Sequence, residues 1–158
     1  MNKSSKKVVS HSISSDVSNI TTYNAGIVQS ASHRKLQKIC DDALRPFGIT
    51  KIHWLIIGTV YDHRATGIRI SDLARAVGTN LPYMTNTVNL LETKKILERY
   101  ENQMDNRSNF VAVHPSFLPK CRKIEEMLRI VLREKIYADI SPEDFATYMR
   151  VLYKLSDV

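Results

Sequence analysis

The sequence predicts a mostly α-helical fold with a small β-wing, and three features of the chain carry that expectation. Apolar residues recur at intervals of three and four in several separate stretches. Two short runs, 97–101 and 109–113, read instead as extended segments joined by the polar stretch "NQMDNRSN". Capping residues, prolines or glycines stand at most of the boundaries between them. A chain of 158 residues is most simply one domain with a real core. Its hydrophobic fraction of 43% and charged fraction of 25% are ordinary for a soluble globular protein.

The opening stretch "MNKSSKKVVSHSISSDVSNI" is rich in Ser and has no sustained periodicity, so 1–22 reads as a loose tail and 23–158 as a single domain. In "SHRKLQKICDDALRPFG" the spacing of Leu36, Ile39, Cys40, Ala43, Leu44 and Phe47 predicts an amphipathic helix that Pro46 and Gly48 end. Thr50 is placed to cap "KIHWLIIGTVYDH", a segment so apolar that it belongs at the centre of the core. After a break at 62–67, "GIRI" reads as a small strand, and Ser71 is placed to cap "SDLARAVG", which Gly78 stops. Asn80 caps the next helix, where Pro82 is tolerated because the amide it lacks would be unpaired in a first turn. Phe117, Cys121, Ile124, Leu128 and Val131 form one long apolar stripe. The last helix starts at "SPED", with Ser141 as cap and Pro142 in its first position; Phe145, Tyr148, Met149, Leu152 and Leu155 form its apolar face.

Two short helices joined through a glycine, with a small strand before and a ribbon after, have the order of a winged helix-turn-helix over 50–114. Met84, Val88 and Leu91 make a buried seam against helix 71–77. That leaves Pro82, Tyr83, Asn86 and Asn89 pointing outward at a width that fits a DNA major groove. An Asn donates and accepts in one plane and so matches the N6 and N7 edge of adenine, which makes Asn86 the first choice for base reading. Tyr83 and Thr85 suit phosphates or a thymine methyl, and the capping Asn80 is a further candidate DNA contact. The formal charge of +7 and pI near 9.5 favour a polyanionic partner. Within 80–107, however, Lys94, Lys95, Arg99 and Arg107 are cancelled by Glu92, Glu98, Glu101 and Asp105. The double-stranded DNA reading therefore rests on geometry, with Arg69, Arg75 and Arg107 supplying positive charge.

"RPFGIT", "ISDLARAVGTNLPYMTNTVNLLETKKILER" and "DNRSNFVAV" together resemble the MarR family of bacterial and archaeal transcription regulators, and the resemblance runs from roughly Leu36 to the end of the chain. It implies a role for the wing triplet Asp105, Asn106 and Arg107, in which the arginine enters the minor groove beside the recognition helix; narrow A-tract grooves favour such an insertion. It also implies a homodimer made by the N-terminal helix (30–47) and the C-terminal helices (116–156). The apolar stripes there exceed what one small winged domain would cover. His53, Trp54 and Tyr61 could then line a cleft for a small aromatic or phenolic effector, although by themselves Trp54 and Tyr61 read better as core and His53 as a satisfied surface group. The chain departs from the pattern at three positions. Asn86 stands where many members have Arg, Asn89 where many have Asp, and Lys95 where glycine is common. A lysine at positive φ would cost about 1 kcal/mol, so a different helix end is expected at Lys95.

Other function classes find no support. Cys40 and Cys121 are far apart and read as buried thiols, and no apolar signal-peptide run follows Lys3, Lys6 and Lys7; a cytoplasmic protein without a membrane span is expected. The histidines lack metal-ligand spacing, and the five glycines stand singly, so neither an enzyme nor a cofactor is expected. The expected function is sequence-specific DNA-binding regulation, as a homodimeric repressor of a pseudo-palindromic operator released by a small effector. A protein–protein interaction module without direct DNA readout, using Tyr83 and the neutral helix, is the alternative. An oxidant or ligand sensor is a further one.

Overall fold

The computed structural model describes residues 20–102 and 105–156, with 101–102 and 105–109 described by their backbone alone. The chain divides into a unit through Lys35 and a unit from Leu36 onward. Residues 1–19 of the predicted tail lie outside the described residues. Thr22 already begins α1 (Thr22–Leu44), about four turns before Leu36, where the apolar periodicity becomes readable. The reason is chemical: Tyr23, Ile27 and Val28 are exposed, so this stretch lacks the buried stripe from which a helix is read in sequence.

In the second unit a 3₁₀ turn over Arg45–Phe47 contains Pro46, and Gly48 takes φ 68°, as the expected stop requires. Next come α2 (Lys51–Asp62), β1 (Ile68–Arg69), α3 (Ile70–Val77) and α4 (Leu81–Thr93). They are followed by β2 (Leu97–Asn102), β3 (Asp105–Val113), α5 (Leu118–Lys135) and α6 (Pro142–Ser156). The three strands form one antiparallel sheet in the order β1-β3-β2. Ile68 pairs with Val111 and Leu97 with Val113, so the inward side chains of all three strands meet the helices.

Ile56, Ile57 and Val60 of α2, Leu73 and Ala74 of α3, Met84, Val88 and Leu91 of α4, and Val111 of β3 are fully or almost fully buried in one cluster. Cys121, Ile124 and Leu128 of α5 join it, as their stripe predicts. At α6, Asp144 N donates to Ser141 Oγ at 3.1 Å, so the expected cap forms. No helix among the described residues is long and apolar enough to cross a membrane.

Three local expectations need correcting. Ser71 does not cap α3: the helix begins at Ile70 with Arg69 as its extended N-cap, because Ile68 and Arg69 are held in the sheet and the chain turns directly out of it. The ribbon is longer than predicted. The strands consume most of "NQMDNRSN" as extended backbone, leaving only 103–104 between them and outside the described residues. Finally, Lys95 does adopt positive φ, at 55°. Ile96 N donates to Leu91 O at 2.9 Å and Lys95 N to Glu92 O at 2.8 Å, the paired bonds of a Schellman end, so the terminal carbonyls of α4 outweigh the strain of a side chain in the left-handed region.

Candidate nucleic-acid interface

The turn between α3 and α4 is built from three consecutive residues with separate tasks. Gly78 takes φ 72°, which closes α3, and Thr79 N donates to Ala74 O at 2.9 Å. Asn80 then caps α4: its Oδ1 accepts from Tyr83 N at 2.8 Å. The Asn80 carbonyl oxygen is therefore engaged by the protein's own backbone. Met84, Val88 and Leu91 are wholly buried, and Thr87 joins them with its hydroxyl donated to Tyr83 O at 2.9 Å, so a polar group on the seam is satisfied within the helix.

The opposite flank of α4 carries Pro82, Tyr83, Asn86 and Asn89, all exposed. The row is thus brought together as expected, and the Asn86 side chain makes no hydrogen bond to another described residue. Thr85 is half-buried and donates its hydroxyl to Leu81 O at 2.9 Å. Two apolar residues missed by the sequence reading lie on the same helix in the open, Leu81 at 50% and Leu90 at 44% exposure.

Asn89 is more constrained than its exposure implies. Its Oδ1 accepts from Arg99 Nη2 of β2 at 2.6 Å, while Arg99 Nη1 lies 2.8 Å from Glu92 Oε2. Helix α4 is therefore tied to β2. Sequence reasoning missed Arg99 and Glu92; the spacing of Asn89 and Glu92 by three on a helix leading straight into a strand was the available signal.

The flanking cations are less concentrated. Arg75 is exposed and pairs with Asp72 at 3.2 Å within α3, and Arg69 of β1 lies over the Phe110 ring at 5.6 Å from its centroid. Asp105, Asn106 and Arg107 fall on the first residues of β3, not in a loop; the placement of their side chains lies outside the described residues.

His53, Trp54 and Tyr61 are all half-buried on α2. Trp54 and Tyr61, a whole number of turns apart, pack against the core, whereas His53 Nδ1 accepts from Thr50 N at 3.3 Å. Burial lowers the His53 pKa from its ordinary 6.5, the Lys94 ammonium adds to this, and Asp41 opposes it. A hollow of about 320 Å³ lies nearby in the same unit, but Phe47, Gly48, Lys94, Ile96, Phe117 and Lys120 are among its walls and the three predicted residues are not. Cys40 and Cys121 are 6% and 4% exposed, and burial raises both thiols, which disfavours the reactive thiolate.

Residues 47–108 match the sequence model of the MarR family. The fold is also similar to that of AbsC, a MarR family transcriptional regulator from Streptomyces coelicolor, with a TM-score of 0.78 at 21% identity over 87% of this chain and 95% of that one. MepR of S. aureus in its DNA complex gives 0.73 at 24% identity, over 88% of this chain and all of that one, 100%. A mutant MarR from E. coli complexed with operator DNA gives 0.74 at 18% identity, over 86% and 99%. At these identities the structural likeness is one of fold.

Proposed function

We propose that this chain, a MarR-family winged helix over residues 47–108, is a sequence-specific double-stranded DNA-binding transcriptional regulator that acts as a homodimeric repressor. One observation carries the reading: a helix pinned by a wholly buried seam presents Pro82, Tyr83, Asn86 and Asn89 together on its open side, beside an antiparallel wing. DNA complexes among the proteins of similar fold support the same partner here. Pro82 and Tyr83 would set the helix N-terminus against the backbone, Asn86 would read a base edge, and Arg69, Arg75 and Arg107 would supply phosphate or minor-groove contacts. Two recognition helices about 34 Å apart would then meet successive major grooves on one face of a pseudo-palindromic site.

The dimer is proposed from the apolar surface of the C-terminal helices. Phe145, Tyr148, Val151, Leu152 and Leu155 of α6 and Ile130 of α5 are all exposed in the single chain, more contiguous apolar side chain than a solitary domain ordinarily leaves in water. A small aromatic effector that changes the spacing of the two recognition helices would release the operator; the α2 region of His53, Trp54 and Tyr61 remains the proposed place for it.

The test is Asn86→Ala. It should weaken the cognate site by about 1 to 3 kcal/mol and relax preference at one base pair. Equal weakening on scrambled duplex would show that Asn86 does not read sequence. A second reading, a protein-binding module, is favoured by Leu81, Leu90 and Tyr83 standing exposed on a helix whose surroundings carry no net charge. Titration with random duplex at low salt separates the two: micromolar binding that collapses with added salt supports DNA, and absence of binding supports a protein partner.

A further inference from the structure

We propose that Arg99 fixes the hydrogen-bonding polarity of Asn89, so that the recognition helix offers the duplex a donor and no acceptor at this position, and that Asn89 therefore selects a base presenting an acceptor. The inference rests on the reading of α4 as the helix that enters the major groove.

A guanidinium only donates, so the amide group facing Arg99 has to be the carbonyl oxygen, and the 2.6 Å contact places Oδ1 there. The Nδ2 amino group is left on the open side. Turning the amide over would break a charge-assisted bond and set two donors against each other. Arg99 cannot readily follow such a turn. Its other terminal nitrogen is paired with Glu92 at 2.8 Å, and the two side chains are only 28% and 25% exposed. Its backbone is in the ladder opposite Val111, and its Nε is buried without a partner, so the root of the guanidinium is enclosed. Arg99 is thus a positioning residue, acting through Asn89.

The consequence separates the two outward amides. Asn86 has both groups available and can take the N6 and N7 edge of adenine, which needs one donor and one acceptor in a plane. Asn89 cannot make that pair. Its donor fits O6 or N7 of guanine, N7 of adenine or O4 of thymine, and is mismatched to cytosine, which presents only the N4 amino group in the major groove. An aspartate at 89 would satisfy Arg99 equally well but turn an acceptor toward the duplex. Asparagine therefore keeps the clamp and reverses the outward chemistry.

The experiment selects bound duplexes from a random pool with the full chain, with Asn89→Asp and with Arg99→Met, each checked for folding by thermal melting. The full chain should show one position, separate from that of Asn86, where guanine, adenine or thymine is favoured over cytosine by about tenfold. Asn89→Asp, which retains the clamp and so the fold, should move that preference to cytosine or abolish it while leaving the Asn86 position unchanged. Arg99→Met frees the amide to turn its oxygen outward and should admit cytosine. Retention of the original preference at every position in Asn89→Asp would overturn the role of Asn89. Failure of the full chain to enrich any duplex would overturn the DNA reading as well, so the two failures are distinct.

Discussion

Replacing Gly67 by Ala tests whether the root of the wing depends on a backbone conformation and on space that only glycine allows. Gly67 joins the end of α2 to β1 with φ 69°, and a Cβ there would lie 1.8 Å from Tyr100 Oη, 2.8 Å from its Cζ and 3.0 Å from Phe110 Cδ1. Two costs follow. An alanine in the left-handed region is strained by about 1–2 kcal/mol. The Tyr100 ring must also swing away from Phe110, from which its centroid lies 6.0 Å, forfeiting an aromatic pair of about 0.5–1.5 kcal/mol. The more restricted unfolded chain returns about 0.4–1 kcal/mol. The net loss is about 0.5–3 kcal/mol, which lowers Tm by about 1–12 °C for a domain of this size. Urea denaturation of Gly67→Ala, Tyr100→Ala and the double variant apportions the terms. In the Tyr100→Ala background the glycine substitution should cost only the backbone share, leaving a coupling of about 1 kcal/mol between the two sites. Stability of Gly67→Ala equal to that of the parent, or perfect additivity in the double variant, would refute the packing argument.

Other expectations are simpler. Lys95→Gly relieves the positive φ of 55° and should stabilise the chain by about 0.5 kcal/mol, since the added freedom of the unfolded glycine offsets part of the gain; a loss in urea denaturation would show that the lysine side chain contributes more than its backbone costs. His53 is held neutral by burial, so the unfolded state binds its proton first: stability should be level above the ordinary pKa of 6.5 and fall as pH drops below it, and His53→Gln should remove that part of the slope in pH-dependent melts. Tyr148→Glu with Leu152→Glu places two charges on the proposed dimer face of α6 and should yield monomers in sedimentation analysis with helicity retained; an unaltered dimer would move the interface elsewhere.

The helices were readable because burial leaves a periodic trace. The seam at Met84, Val88 and Leu91, the apolar α2 and the stripe through Cys121, Ile124 and Leu128 are set by the core itself, and their spacing reports it directly. The outward row on α4 follows from that seam by elimination. What sequence left hidden depends on pairing between segments. The start of α1 lacks a buried face, the length of the ribbon is set by its register with Val111 and Val113, and the conformation of Lys95 is decided by the carbonyls behind it. Arg99 was invisible for the same reason. Nothing in the local pattern distinguishes a solvated arginine on a strand from one that grips an amide and a carboxylate ten and seven positions earlier.

That clamp bears on how the proposed affinity would divide between electrostatics and readout. Arg99 is neutralised by Glu92, and Arg75 is paired with Asp72, so two of the cations near α4 are already partnered inside the protein. Phosphate attraction, which supplies most non-specific binding and falls steeply with salt, should be correspondingly modest on this face. Base-edge contacts carry less salt dependence, because they release few counterions. The ratio of operator to random-duplex affinity should therefore hold or rise between about 50 and 200 mM salt, even as both affinities decline. A helix held rigidly by a buried seam on one side and by Arg99 on the other suits that division: without a strong general attraction, discrimination depends on presenting Asn86 and Asn89 in one fixed orientation to the groove.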